Sequence, residues 1–174
     1  DFAARLRRQV WPDVQIARGH ELLVPLQGRI RQCRSFQTMT PVEMLDAIGR
    51  SGLPAAITLH PREVYDAGDH AALREMLARH PGLRLAGDSR VLLPGCLGVV
   101  TMNSAVAFDG LILGKPAVLF GQIDFHHIAL NVADMGARAA LAALPTHQPD
   151  FDVYLHWFLA HAIDAPPEPG DQSD

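Results

Sequence analysis

The chain has 174 residues, 48% of them hydrophobic, which is enough for one ordinary core and too few for two full-sized domains. Its net charge of −4 sits in the last stretch, at Asp164, Glu168, Asp171 and Asp174, so the rest is close to neutral. A neutral body lacks the basic footprint that duplex nucleic acid demands, and nucleic acid is excluded as a partner.

The arginine clusters Arg5, Arg7, Arg8 and Arg29, Arg31, Arg34 read as solvated faces or a local anion site. Cys33 and Cys96 stand far apart with no CxxC spacing, which speaks against a zinc knuckle or a disulfide framework and for a reducing, cytoplasmic setting. The most apolar stretch, residues 97–121, is interrupted by Asn103, Asp109 and Lys115 and does not read as a membrane span. No signal peptide opens the chain, and a first residue of Asp in place of Met fits a piece excised from something longer.

In chain order, residues 2–10 have helical spacing, broken by Trp11-Pro12. Residues 21–26 read as a short buried strand. Thr40-Pro41-Val42-Glu43 is a capping box with proline at the first helical position, and Gly52 ends that helix. Residues 55–59 form a second strand, and Asp69 is expected to cap an amphipathic helix carrying Leu73, Met76 and Leu77, closed by Pro81-Gly82. A third strand covers 83–86, Asp88-Ser89 starts a helical turn before Pro94, and 97–102 is a fourth strand. A helix over 105–113, the turn Gly114-Lys115-Pro116 and a strand over 117–120 follow, then helices over 137–144 and 151–163. From Ala165 the Pro, Gly, Asp and Ser content predicts a disordered acidic tail. The division expected is an N-terminal helix and linker over 1–20, a single Rossmann-like domain over 21–164 and the tail over 165–174. Strands of four to six apolar residues alternating with helices predict an α/β domain, a Rossmann-like parallel sheet with helices on both faces.

In such a sheet ligands sit beyond the carboxyl ends of the strands. Gln27-Gly28 follows the first predicted strand, His60-Pro61-Arg62-Glu63 the second, Asn103-Ser104 the fourth and Gly121-Gln122 the fifth. Four distant segments therefore converge on one edge. Pro61 fixes the exit of His60, whose imidazole is expected to donate to a phosphate oxygen, although a strand-end histidine bonded to a carbonyl has the same signature. Asn103 and Ser104 read equally as helix caps or as the opening of a helix N-terminus that offers free N–H groups to an anion. Arg62 and Glu63 face the ligand or each other. His126-His127 lacks further ligands at metal spacing, so no metal site is expected. His156 and His161 are expected on the surface. No GxSxG, GxxxxGK[ST] or GxGxxG run occurs, which argues against a hydrolase, a P-loop enzyme or a typical nicotinamide domain.

Leu23-Val24-Pro25-Leu26-Gln27, Thr58-Leu59-His60-Pro61-Arg62-Glu63, Val99-Val100-Thr101-Met102-Asn103-Ser104 and Gly114-Lys115-Pro116-Ala117-Val118, in that order, resemble the capsule polysaccharide biosynthesis family, which includes bacterial Kdo transferases. The resemblance spans residues 22–132. It implies the C-terminal, donor-binding half of a two-domain GT-B glycosyltransferase that takes a nucleotide sugar such as CMP-Kdo as substrate, needs no cofactor and transfers to a glycan or glycolipid acceptor with inversion. His60-Pro61 matches the family's His-Pro motif, while Asn103-Ser104-Ala105 stands where relatives often carry two hydroxyl residues, and Phe125-His126 stands near where they often show tyrosine. His60, Ser104 and the helix after them are then expected to stabilise the departing phosphate. The general base belongs to a facing domain, through which the enzyme would also reach the inner face of the cytoplasmic membrane. Two rivals are an epimerase or hydrolase acting on a UDP-sugar on the same scaffold, and a non-catalytic module binding a partner protein through Tyr154, Trp157 and Phe158, a cluster that packs equally well back on its own domain.

Overall fold

The computed structural model describes residues 2–162. The predicted tail, and the end of the last helix at Ile163, lie outside the described residues. The elements are α1 (Phe2–Val10), β1 (Leu22–Leu26), α2 (Pro41–Ser51), β2 (Ala55–Leu59), α3 (Ala67–Arg79), β3 (Leu83–Leu85), α4 (Ser89–Leu92), β4 (Gly98–Thr101), α5 (Val106–Ile112), β5 (Ala117–Leu119), β6 (Leu130–Asn131), α6 (Val132–Met135), α7 (Ala137–Ala143) and α8 (Phe151–Ala162).

The six strands form one parallel sheet in the order β3-β2-β1-β4-β5-β6. The fold is Rossmann-like: the chain winds outward from β1 to β3, crosses back, and winds the other way from β4 to β6. Period-two alternation divides the core. Leu22, Val24, Leu26, Val100 and Phe120 meet α2, α3 and α7 on one face, while Leu23, Val99, Ala117 and Leu119 meet Trp11, α5 and α8 on the other. β1 is buried at every position because both faces are covered.

Local chemistry fixes the helix ends. Thr40 and Glu43 close the expected capping box on α2, and Gly52 ends it with φ 76°. α3 starts earlier than the sequence suggests. Its cap is Asp66, whose side chain accepts from the Asp69 N–H at 2.7 Å, and Asp69 is the reciprocal third residue of the box. Arg31 pairs with Asp66 at 2.7 Å and with the buried Asp69 at 3.1 Å. This arginine therefore anchors a helix start from an exposed position, its donors taken by carboxylates and not by a free anion. The strand β6 and helix α6 have no counterpart in the sequence reading.

The N-terminal segment packs onto the domain. Arg7 Nε donates to the Ile112 carbonyl at 2.7 Å and its Nη2 pairs with Asp152 at 3.2 Å, while Trp11, 7% exposed, enters the core. The buried Lys115 reaches the Ala17 and Cys96 carbonyls and fixes the following stretch. On α8, Tyr154 and Phe158 stack together against this core, and Trp157 remains 46% exposed. Among the described residues no helix is long and apolar enough to cross a membrane.

Candidate functional site

β1 and β4 are neighbours at the point where strand order reverses, and Pro25 opens the sheet there. Their ladder pairs Leu22 with Gly98 and Leu23 with Val99 and goes no further. Odd-numbered residues of β1 face β4, as the bond from Leu97 N–H to the Glu21 carbonyl shows. Pro25 has no N–H to extend that ladder. Its carbonyl accepts instead from the Thr101 hydroxyl at 3.0 Å, so the two strands part without leaving a buried acceptor unpaired.

Beyond this opening lies a cavity of about 610 Å³, within the range of small-molecule sites. The ends of β1 and β2 line it with Pro25, Leu26, Thr58, Leu59, His60 and Pro61. The start of α4 contributes Ser89 and Arg90, the α5 side contributes Ser104 and Asp109, and Trp11 contributes from the N-terminal segment.

His60 is held by its neighbours. Its N–H is within reach of the Leu26 carbonyl at 3.2 Å and the Tyr65 hydroxyl at 3.0 Å, and that hydroxyl donates to Leu26 at 3.1 Å. The ring Nδ1 accepts from the Arg62 N–H at 3.2 Å. In the neutral ring this acceptor role puts the proton on Nε2, leaving that nitrogen as a donor.

The N–H groups near the start of α5 are largely spent, which favours the helix-cap reading of this segment over the open helix terminus. Ser104 N–H reaches Thr101 Oγ1 at 3.4 Å, Val106 N–H reaches Ser104 Oγ at 3.3 Å, and Ala107 N–H reaches the Ser104 carbonyl at 3.0 Å. Ser104 is the cap-like residue of the pair, while the Asn103 side-chain oxygen is buried without a partner. What Ser104 still has to give is its hydroxyl hydrogen.

Thr58 and Ser89 hydroxyls meet at 2.5 Å and clamp the first turn of α4 to β2. Burial pushes the Asp109 carboxyl above its ordinary pKa, and the Arg90 charge opposes that rise. Arg90 lies over the Trp11 ring, its Cζ 4.2 Å from the centroid.

Gly121 and Gln122 line a different cavity on the same rim, also about 610 Å³. There Gln37 bridges Gly121 in antiparallel fashion, and Gln122 N–H donates to the Phe36 carbonyl at 2.9 Å. A Cβ on Gly121 would stand 3.0 Å from the Met102 carbonyl and 3.2 Å from that of Phe36, so this glycine serves a close backbone approach. Gln27, Gly28, Arg62, Glu63 and Asn103 line neither cavity. A Cβ on Gly28 would meet Glu63 Oε2 at 2.7 Å, so these two residues pack on each other. His126 and His127 have ring centroids 3.9 Å apart, and among the described residues no group of three or more His, Cys, Asp or Glu could hold a metal ion.

Thr58, Ser89, Arg90, Asp109 and Trp11 are absent from the sequence reading of the site. The signal for two of them was within reach, because Asp88-Ser89-Arg90 follows the third strand just as His60 follows the second. Trp11 carries no such signal, since its place depends on how α1 docks. No model of a known protein family matches the chain, and no curated protein matches it.

Proposed function

We propose that this chain is the donor-binding half of a glycosyltransferase that takes a nucleotide sugar, with a CMP-linked sugar acid as the donor that the capsule-family resemblance favours. The observation that carries the reading is that His60 and Ser104, from segments 44 residues apart, line one cavity where strand order reverses. That crevice is where open α/β sheets bind nucleotides.

In the transfer, an acceptor hydroxyl attacks the anomeric carbon as the bond from that carbon to the phosphate oxygen breaks, with inversion. The nucleotide leaves carrying the electron pair. His60 Nε2–H and the Ser104 hydroxyl are suited to meet the charge that develops on the departing phosphate, each such donor contributing roughly 3 kcal/mol to the barrier. The base that takes the acceptor proton belongs to a facing domain, which also presents the glycan or glycolipid acceptor at the inner face of the membrane.

Titration of the purified chain with CMP, UDP and GDP, followed by NMR shifts, tests this. CMP should bind best, and His60→Ala should abolish its shifts while the spectrum of the folded core is kept. Unchanged affinity in that variant removes the histidine from the site. Preference for UDP favours the epimerase-like alternative, and silence with all three nucleotides favours a partner-binding module.

A further inference from the structure

Arg90 lines the switch-point cavity from an exposed position, and among the described residues no carboxylate forms an ion pair with it. Its guanidinium stacks on Trp11 at 4.2 Å, and its Nη2 donates to the Val10 carbonyl at 3.0 Å. Those two contacts orient the fork while using one of its five N–H donors. Arg7, Arg31, Arg50, Arg79 and Arg84 each close an ion pair with a carboxylate. Arg90 does not, although two carboxylates line the same cavity. Asp88 Oδ1 accepts from the Arg90 backbone N–H at 2.8 Å and so caps α4. Asp109 feels the Arg90 charge, yet among the described residues the two form no ion pair. A preorganised guanidinium with free edge donors at a concave site is a receptor for an oxyanion.

We propose that Arg90 receives an oxyanion of the ligand in this cavity, a phosphate or a carboxylate, through the unused edge of its guanidinium; this rests on the reading of the cavity as a nucleotide-sugar site. His60 and Ser104 offer single donors. Arg90 adds a fixed positive charge and a planar pair of N–H groups, which match the spacing of two oxygens on one acid group. Because the same side chain holds Val10 and Trp11, ligand binding also reaches the end of α1.

The chain has two tryptophans, so Trp157→Phe leaves Trp11 as the sole emitter beside Arg90. In that background the probes are CMP, cytidine and glucuronate, read by Trp11 fluorescence and NMR, with Arg90→Gln and Arg90→Lys compared. Arg90→Gln should weaken the acidic probe about 10-fold or more, the usual loss for a hydrogen bond to a charged group, and leave cytidine unchanged. A loss confined to CMP identifies the phosphate as the source, and a loss confined to glucuronate identifies a sugar carboxylate. Arg90→Lys, which keeps the charge and loses the fork, should fall between. Should CMP or glucuronate bind the parent chain and keep its affinity in Arg90→Gln, the proposal fails while the nucleotide-sugar reading stands. When no probe binds the parent chain, that reading falls and takes the proposal with it. If Arg90→Gln does not fold, affinities in Arg90→Lys equal to those of the parent overturn the assignment.

Discussion

Two cavities of similar size share the carboxyl rim of one sheet and are built in opposite ways. The one beside β5 is stitched by backbone: the Gln37–Gly121 bridge, Thr38 N–H and hydroxyl both on the Phe120 carbonyl, and Gln122 N–H on Phe36. At the switch point the backbone ladder stops at Pro25, and the polar groups are side chains of His60, Ser104, Arg90 and Asp109. Where main-chain groups satisfy one another, a loop is held to the sheet. Where side chains keep unused donors and acceptors, the site can select what it binds. Proximity to the strand ends is therefore a poor guide by itself, since Gly121 and His60 share the rim and do different jobs.

Three substitutions probe this contrast, in order of decreasing expected cost. Trp11→Ala removes a buried aromatic wall of the switch-point cavity and should lower stability by roughly 3–5 kcal/mol in urea unfolding. A cost below ~1 kcal/mol would mean that the N-terminal segment is only loosely docked. Gly121→Ala forces a Cβ against two carbonyls and should cost about 1–3 kcal/mol by the same measurement, with the nucleotide binding proposed for the other cavity unaltered. Weakened binding there would show that the two cavities act as one site. Thr101→Val leaves the Pro25 carbonyl without its donor and should cost ~1 kcal/mol. A neutral result in thermal unfolding would mean that water reaches Pro25 and that the crevice is more open than its geometry indicates.

The capping box at Thr40, the stop at Gly52 and the strand at residues 55–59 were legible because each depends on a few adjacent residues. The start of α3 departs from the expected one because adjacent residues alone do not decide it. Asp66 and Asp69 are both good caps, and what distinguishes them is the reciprocal bond between them together with Arg31, which lies 35 residues from Asp66. The two-residue β6 escaped because so short a strand carries no periodicity.

By itself the sequence determined the alternation of strand and helix, hence a parallel sheet, and the set of polar residues at the strand ends. Local propensity and right-handed crossovers leave few other solutions. Only the tertiary structure decided which of those residues share a cavity, that the N–H groups near the start of α5 are already used, and that Trp11 and Arg90 form a wall. The shared cavity and the wall depend on groups that meet across long stretches of chain, as Arg90 meets Val10 over 80 residues, while the α5 start depends on the turn the chain takes at Ser104, and residue order alone encodes neither.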